Sequence, residues 1–365
     1  MSRVQVRQGE KIYDIPVQPG ESLLSALRRA GFSLPAACGG RGRCGKCRVQ
    51  VNGGPRLACK VFPRGGEQVA LPDTVSGVIL GDTLPPPPCQ PGRTGLSAAV
   101  DLGTTTVVVK LYDRAHGAEL AAQRAWNAQA PYGADVISRI QHTLDTPQGF
   151  SELSGRIRGQ IWAMLEAALS AAGRQAEELK EISVAGNTVM ESLFAGKSVA
   201  GMAAAPFRPD SLFFGPEGTG DLNGVPVRLL PCVAGYVGGD ITAGLMASGL
   251  GEKPGEHLFL DIGTNGEMAM GGKGGFSCCA VASGPAFEGA GIQCGMPGVD
   301  GAVSHVRYDR GFLYDVIGDG PARGLCGSGL VDLAAVLRKL GIIAPGGRLL
   351  PPEEVAPELR RYVER

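Results

Sequence analysis

The segment 96–113, LSAAVDLGTTTVVVKLYD, predicts an apolar strand, a tight turn and a return strand. A near copy, LFLDIGTNGEMAM, follows at residues 258–270. In both copies the first strand ends in an aspartate, at Asp101 and Asp261, and the turn is built from glycine and small polar residues. One D-x-G-T turn is a weak signal, but two copies with matching flanks indicate an internal repeat.

The chemistry of these turns suits a polyphosphate. An aspartate at a strand end can hold Mg²⁺ or its water shell, because a hard cation prefers carboxylate oxygen. The turn that follows presents backbone N–H groups and hydroxyls to phosphate oxygens, and it needs no lysine. We therefore expect the two hairpins to face each other across a cleft and to hold opposite ends of a polyphosphate.

This repeat resembles the actin-like superfamily of acetate and sugar kinases, heat-shock chaperone ATPases and actin. The resemblance implies an ATPase domain in which Asp101 and Asp261 handle Mg²⁺ and the attacking water. Glu267 either helps to orient that water or is a solvent-facing strand carboxylate. The ATP-binding residues that the resemblance implies are Gly103, Thr104 and Thr105 in the first loop and Gly263, Thr264, Asn265 and Gly266 in the second.

Other elements of this region carry weaker signals. Asn187 follows the strand ISVAG and Asp240 ends the string AGYVGGD, so each either faces the cleft or caps a helix. Residues 151–180 predict an amphipathic helix with a packing role. The last predicted helix has a glycine-rich start that suits either phosphate or ribose binding or close packing, at Gly327, Ser328 and Gly329.

Four of the ten cysteines cluster near the N-terminus, at Cys38, Cys44, Cys47 and Cys59. Glycines at 39, 40, 42 and 45 let the loop adopt positive φ, curl around one inorganic core and point N–H groups at sulfur. A four-cysteine zinc site usually has two C-x2-C pairs, whereas this spacing, C-x5-C-x2-C-x11-C, has one. A [2Fe–2S] cluster is therefore favoured over zinc or no metal. The other six cysteines are expected to be small core residues.

The flanks of the cysteine loop predict a hairpin at 4–8 and 11–17, a helix at 21–31 and a strand at 48–51. This order resembles the β-grasp [2Fe–2S] ferredoxins. Four consecutive prolines further along favour a stiff, extended spacer. The fold class expected is therefore α/β and α+β, with a ferredoxin domain at 1–72, a Pro-rich linker at 73–96, and an actin-like (RNase H-like) ATPase domain at 97–365 that has a middle subdomain at about 120–215.

Composition and charge narrow the class of protein. With 44% hydrophobic and 19% charged residues, wholesale disorder is excluded. The sequence lacks an apolar run long enough for a membrane span, and its start does not resemble a secretory signal. We therefore expect a cytoplasmic protein with no membrane partner.

The net charge is zero, but residues 1–72 hold twelve Lys and Arg against four Asp and Glu. Nucleic acid is disfavoured as a partner, because few aromatic side chains accompany these basic residues. We expect instead a partner that presents carboxylates to the basic residues around the predicted cluster, which are Arg41, Arg43, Lys46 and Arg48.

The whole chain resembles the reductive activators of corrinoid proteins. The resemblance rests on the order of modules and on the strings DIGTNGE, ASGPAFEGAGI, AGYVGGD and CGSGLVDL. It implies an enzyme that uses ATP to pass an electron from a [2Fe–2S] cluster to Co(II) and regenerate Co(I). The implied partners are a corrinoid protein or corrinoid methyltransferase and an upstream electron donor, and a homodimer is compatible with the resemblance.

One departure concerns the C-terminal end. Members of that family continue into a longer lobe with an adenosine-binding glycine loop, whereas 104 residues follow Asp261 here. We therefore expect a shortened ATPase domain with an incomplete adenosine pocket. Two other functions stay open, namely a small-molecule kinase with a structural or regulatory cluster and a non-catalytic electron-transfer adaptor.

Overall fold

The computed structural model of the chain describes residues 2–32, 34, 40, 42, 47–71, 92–133, 135–263, 265–281, 292–296, 298–318 and 320–363. Its contacts divide into two compact units. The first comprises the described residues of Met1–Asp73 and Asp82–Ala282, and the second those of Thr74–Gly81 and Ser283–Arg365. The domain boundaries drawn from the sequence stay predictions, and the predicted linker lies outside the described residues up to residue 91.

The N-terminal sheet has five strands, which are β1 (Ser2–Gln8), β2 (Lys11–Val17), β3 (Arg48–Val51), β4 (Gly54–Leu57) and β5 (Gln68–Ala70). Their order is β2-β1-β5-β3-β4; β1 and β5 are parallel, and the other neighbours are antiparallel.

One helix, α1 (Leu23–Arg29), packs on this sheet. It begins after Ser22, whose hydroxyl accepts a hydrogen bond from the Ser25 N–H at 3.2 Å and so satisfies one exposed donor of the first turn. Leu23, Leu24 and Leu27 are buried among the sheet residues. The predicted hairpin, helix and strand are confirmed, and together they form the expected β-grasp arrangement.

The second sheet has six strands, which are β6 (Leu96–Leu102), β7 (Thr106–Asp113), β8 (Glu119–Trp126), β9 (Leu179–Gly186), β10 (Thr219–Leu222) and β11 (Val225–Leu229). Their order is β10-β11-β9-β6-β7-β8. The strands β6, β7 and β8 form an antiparallel meander, and β9 joins β6 in parallel with Asp101 paired to Ala185.

Helices α2 (Val136–Asp145), α3 (Gly149–Ala171) and α4 (Thr188–Ala195) share one apolar core with this sheet. The helix predicted at 151–180 is confirmed only up to Ala171. Gly173 follows with φ +64°, and a short 3-10 turn then leads into β9, so the predicted C-terminal third was wrong. The left-handed glycine ends the helix, a role that the amphipathic pattern could not reveal.

A third sheet repeats the meander with β12 (His257–Ile262), β13 (Gly266–Gly272) and β14 (Gly275–Val281). Helix α5 (Gly239–Ser248) shares with it a small core of Val237, Ile241, Ala269 and Phe259. The two meanders confirm the internal repeat that the sequence predicts.

The second unit holds β15 (Ala302–Tyr308), β16 (Phe312–Val316), β17 (Gly324–Leu325) and α6 (Gly327–Lys339). A short 3-10 helix, Pro357–Tyr362, closes its small core of Ile342, Val355 and Leu359. In neither unit does a described helix have the length and apolar character needed to cross a bilayer.

Candidate functional site

Two of the four clustered cysteines lie in the described residues, and both are buried. Cys47 immediately precedes β3 and is 1% exposed, and Cys59 follows β4 and is 8% exposed. The Ala58 N–H donates to the Cys47 carbonyl at 2.8 Å, which extends the β3–β4 ladder and brings the two positions to the same end of the hairpin. Cys38 and Cys44 lie outside the described residues, as do Arg41, Arg43 and Lys46.

The glycines of the loop test whether these residues fit an iron–sulfur cluster. Gly40 and Gly42 have φ of +88° and +73°, as the predicted curl of the loop requires. A Cβ added at Gly40 would lie 3.8 Å from the Cys59 Cβ and 3.1 Å from a methyl of Leu24. The loop therefore approaches a buried thiol through a residue without a side chain, and this fits a cluster held by thiolates and backbone N–H groups.

Of the six scattered cysteines, Cys89 lies outside the described residues, and the other five do not share one environment. Cys232 and Cys326 are buried as predicted, but Cys279 and Cys294 are exposed. The prediction failed at Cys279 because strand alternation places it on the exposed face of β14.

In the region of the internal repeat, each hairpin carries its aspartate one residue before the end of the first strand. Asp101 is in β6 and Asp261 in β12, as the repeat predicts. Although the Asp101 side chain is accessible to solvent, partial burial and the negative charge of Asp261 raise its pKa to about 6. Burial also raises the pKa of Asp261. The two carboxylates thus lie within electrostatic range, as a shared site requires.

Asp240 belongs to this group, although its position in a helix differs from that expected. It lies in the first turn of α5, after the N-cap Gly238, so the interpretation of Asp240 as a helix cap is wrong. Burial, followed by the charges of Asp261 and Asp101, raises its pKa to about 6.

Glu267 is the fourth carboxylate of the group. It is 7% exposed, so the alternative of a solvent-facing strand residue is wrong. Burial, with the charges of Asp240 and Asp261, raises its pKa to about 7, and a hydrogen bond with the Asn265 side chain opposes that shift. Within the described part of the chain, no cation is near enough to lower the pKa of any of the four.

The four carboxylates do not form a ready-made metal cage. Among the described residues, no three acidic, histidine or cysteine side chains are placed to hold one ion together. Magnesium commonly binds through one or two carboxylates, with water and substrate phosphates completing its shell. The uncompensated acidic group therefore fits Mg²⁺ that arrives with a phosphate ligand.

Asn187 links the start of α4 to the first loop. Its side-chain oxygen accepts from the Met190 N–H at 3.1 Å, as a helix cap does. Its side-chain nitrogen donates to the Thr104 hydroxyl at 2.8 Å. The helix-cap alternative for Asn187 is thus confirmed, and the cap also contacts Thr104, a predicted phosphate-loop residue. That Asn187 faces the cleft stays a prediction.

Glycine at positions 238 and 239 lets the start of α5 lie close to the end of β9 and to α4. A Cβ at Gly238 would overlap the backbone at Asn187, and one at Gly239 would overlap the Glu191 carboxyl and lie 2.9 Å from the Leu230 carbonyl. Glu191 was not expected from the sequence to matter. It is fully buried, accepts from the Gly186 N–H at 2.9 Å, and has a pKa raised to about 9, chiefly by burial.

The remaining residues predicted to bind ATP belong to the turns of the two hairpins. In the first turn, a Cβ on Gly103 would lie 2.6 Å from the Thr106 carbonyl, so this turn needs glycine. In the second turn, the Gly263 N–H donates to the Asn265 carbonyl at 2.9 Å, and Thr264 is outside the described residues. Their contacts with a nucleotide stay predictions, as do those of Thr105 and Gly266.

Gly327, Ser328 and Gly329 lie in the first turn of α6, in the second unit. A Cβ on Gly329 would overlap the Val303 carbonyl, so close packing explains that glycine. A ligand role for this turn stays a prediction.

Comparison with known protein families assigns nearly all of the chain. A 2Fe-2S iron-sulfur cluster binding domain matches residues 7–64, and the RACo middle region matches residues 96–253. The C-terminal domain of RACo, described as the ASKHA domain, matches residues 256–362. This chain belongs to the RACo family. Its expected fold, a [2Fe–2S] ferredoxin domain joined to an actin-like domain, is confirmed.

Two individual relatives are consistent with the assignment of this chain to the RACo family. The corrinoid activation enzyme RamQ of Eubacterium limosum is 33% identical over 265 residues, covering 69% of this chain and 43% of RamQ. The chain therefore spans less than half the length of RamQ. A solved structure of a reductive activator for a corrinoid, iron-sulfur protein matches with a TM-score of 0.61 and 27% identity, covering 96% of this chain and 74% of the other.

Proposed function

We propose that this RACo-family chain is an ATP-dependent reductive activator of a corrinoid protein. In the proposed reaction a [2Fe–2S] centre held by Cys38, Cys44, Cys47 and Cys59 would supply one electron to Co(II) of the partner, giving Co(I), while ATP and water give ADP and phosphate. An upstream electron donor restores the reduced centre. The observation that supports the proposal is that Asp101 and Asp261, at matching positions of the two hairpins, lie close enough for the charge of Asp261 to raise the pKa of Asp101.

At the nucleotide site the proposed roles follow from the carboxylates. Asp101 and Asp261 would hold Mg²⁺, which supplies charge neutralisation at phosphate oxygens when bound. Glu267, with its pKa near 7, is suited to accept a proton from the attacking water at neutral pH. Asp240 adds negative charge beside them and strengthens the attraction for a divalent cation.

At the redox site Cys38, Cys44, Cys47 and Cys59 would hold the cluster, which supplies one-electron transfer. The protein's contribution is to bury the sulfur atoms of Cys47 and Cys59 and to keep side chains away at Gly40, so that backbone N–H groups can approach. Plant-type clusters have potentials near about −400 mV. The Co(II)/Co(I) couple lies lower, and about 59 mV costs a factor of ten for one electron, so coupling to ATP would supply the missing driving force.

The test is anaerobic reduction of a cob(II)alamin-containing partner protein, followed by the absorbance of Co(I), with and without Mg–ATP. We expect Co(I) to form with wild type and ATP, and not with Cys47→Ala or Asp261→Ala. Cys279→Ala, an exposed cysteine in β14, is the matched control and should behave as wild type. Normal cobalt reduction by Cys47→Ala would place the cluster off the electron path and overturn the proposal.

The same assay separates the two other functions. Transfer of phosphate to a metabolite, with no Co(I), would identify a kinase whose cluster is structural or regulatory. Full Co(I) formation without ATP would identify an electron-transfer adaptor. Iron and acid-labile sulfide analysis of the purified protein checks the cluster independently.

A further inference from the structure

Three consecutive carbonyl groups of the first phosphate loop are held by buried donors. The Asn127 side chain donates to the Gly103 carbonyl at 2.8 Å, and the Asn127 backbone N–H donates to the Thr105 carbonyl at 2.9 Å. Between them, the Arg139 guanidinium donates to the Thr104 carbonyl at 2.5 Å. Asn127 is 1% exposed and Arg139 is fully buried. The sequence did not single out either residue.

Because the peptide bond is planar, these contacts also fix the direction of the backbone N–H groups in the loop. In a planar trans peptide the carbonyl and the following N–H point in opposite directions. Carbonyls of Gly103 and Thr104 that are drawn toward the core therefore turn the N–H groups of Thr104 and Thr105 away from it. Among the described residues, neither of these N–H groups donates to another protein group. Both are left available for a ligand.

Arg139 is fixed in place by neutral acceptors. Besides Thr104, it donates to the Gly133 carbonyl at 3.0 Å, the Gln129 side chain at 3.0 Å and the Met190 sulfur at 2.8 Å. Burial lowers its pKa to about 9, which leaves it charged at neutral pH. The charge of Asp135 opposes that lowering, but no carboxylate in the described part of the chain forms an ion pair with Arg139. Its direct partner in the first loop is the Thr104 carbonyl, so part of its positive charge acts there.

We propose that Arg139 and Asn127 are positioning residues for a nucleotide polyphosphate: they turn the Thr104 and Thr105 N–H groups toward it, and Arg139 adds a buried positive charge behind them. The inference rests on the proposed nucleotide site and deepens it. Hydrogen bonds to a charged group contribute enough that loss of the oriented pair should weaken binding by about tenfold to a hundredfold.

The test combines Mg–ATP titration with hydrogen–deuterium exchange of a peptide that covers residues 101–107. In wild type, saturating ATP should slow exchange of the Thr104 and Thr105 amides. Arg139→Met should bind Mg–ATP at least tenfold more weakly and should lose that slowing even at saturation. Arg139→Lys, which keeps the charge with fewer donors, should recover part of the affinity.

Arg158→Met is the matched control. Arg158 also donates to two backbone carbonyls, those of Phe194 and Asp221, but it does not contact the phosphate loop. It should keep wild-type affinity and the slowing of exchange, although its thermal stability falls. A purely structural role for Arg139 would give the same result as Arg158→Met, and that result would overturn the inference.

Other outcomes are also decisive. If Arg139→Met does not unfold cooperatively, Asn127→Ala is used instead, and unchanged slowing at Thr104 in that variant overturns the inference. If wild type binds Mg–ATP and folded Arg139→Met binds it equally well, the positioning role fails alone. If wild type binds no Mg–ATP, the positioning role and the nucleotide part of the proposed function fail together.

Discussion

Asp261 and Glu267 occupy directly opposed positions on β12 and β13. Opposed residues on an antiparallel pair have Cβ atoms about 4.5–5.5 Å apart, and like charges there destabilise the sheet. In the first hairpin the residue opposite Asp101 is Val108. The second copy of the repeat thus carries an acidic residue that the first lacks, and this asymmetry is what a site needs if one hairpin also supplies a base.

Replacing Glu267 with glutamine should increase stability and remove activity. The variant keeps the size of the side chain but removes the charge opposite Asp261. At pH 8 the free energy of unfolding of the nucleotide-free protein should rise by about 0.2–1 kcal/mol. ATP hydrolysis should fall by about 10²- to 10⁴-fold, the usual contribution of a general base. Urea unfolding and steady-state phosphate release measure the two effects.

Glu119→Gln is the control for that experiment. It breaks an exposed ion pair with Lys110 of 2.8 Å and should leave hydrolysis unchanged without raising stability. Unaltered hydrolysis in Glu267→Gln would show that Glu267 is not the base.

The buried Glu191 predicts a loss of stability as pH rises. Its pKa in the folded protein is raised to about 9, from an ordinary value of 4.5. Between these values the folded state binds a proton that the unfolded state releases, so stability is fully present below pH 4.5 and declines up to pH 9. The slope from one such proton approaches about 1.4 kcal/mol per pH unit.

Glu191→Gln should therefore flatten the pH dependence of stability between pH 6 and 8. The amide can still accept from the Gly186 N–H and cannot ionise. Urea unfolding at several pH values measures the slope, with exposed Glu177→Gln as the control. An equal slope in wild type and Glu191→Gln would contradict the raised pKa.

The sequence predicted the features that depend on neighbouring residues, but it did not predict contacts between residues far apart in the chain. The strand ends at Asp101 and Asp261 and the turns after them follow from local alternation and repetition, and both hairpins were predicted correctly. The contacts of Thr104 with Arg139 and Asn187 span 35 and 83 residues of chain. No local pattern encodes contacts of that span, because they depend on how α2 and α4 pack in the core that they share with the sheet.

Local sequence patterns also did not predict which side chains are buried. Alternation in β13 predicts two faces but does not say which is covered, so Glu267 could be buried or exposed. Asp240 was similarly ambiguous, since an aspartate near a helix start is usually a cap. Its contribution depends on the two neighbouring glycines, which let the start of α5 approach β9 and α4.

The arrangement of the four carboxylates, those of Asp101, Asp240, Asp261 and Glu267, predicts that magnesium binds weakly without nucleotide. Because the described residues offer no group of three ligands for one ion, Mg²⁺ alone should change the thermal unfolding midpoint little. Mg–ATP at about 100 times its Kd should stabilise the protein by about 2.7 kcal/mol. Asp261→Asn should lose this stabilisation, whereas Asp309→Asn, on an exposed turn, should retain it. A large shift with Mg²⁺ alone would contradict the interpretation.

The start of α5 gives the last prediction. A methyl group at Gly239 has no room between the Glu191 carboxyl and the Leu230 carbonyl. Gly239→Ala must therefore displace α5 or Glu191, and overpacking of this kind costs about 1–3 kcal/mol of stability. Because Asp240 is the next residue, ATP hydrolysis should fall as well.

Gly155→Ala is the control. Gly155 is a glycine of α3 with open space around it, so alanine there should stabilise the protein by about 0.5–1 kcal/mol through helix propensity. Thermal unfolding and hydrolysis assays of the two variants, side by side, distinguish close packing at α5 from a general effect of alanine; equal stability changes in both would contradict the packing described for Gly239.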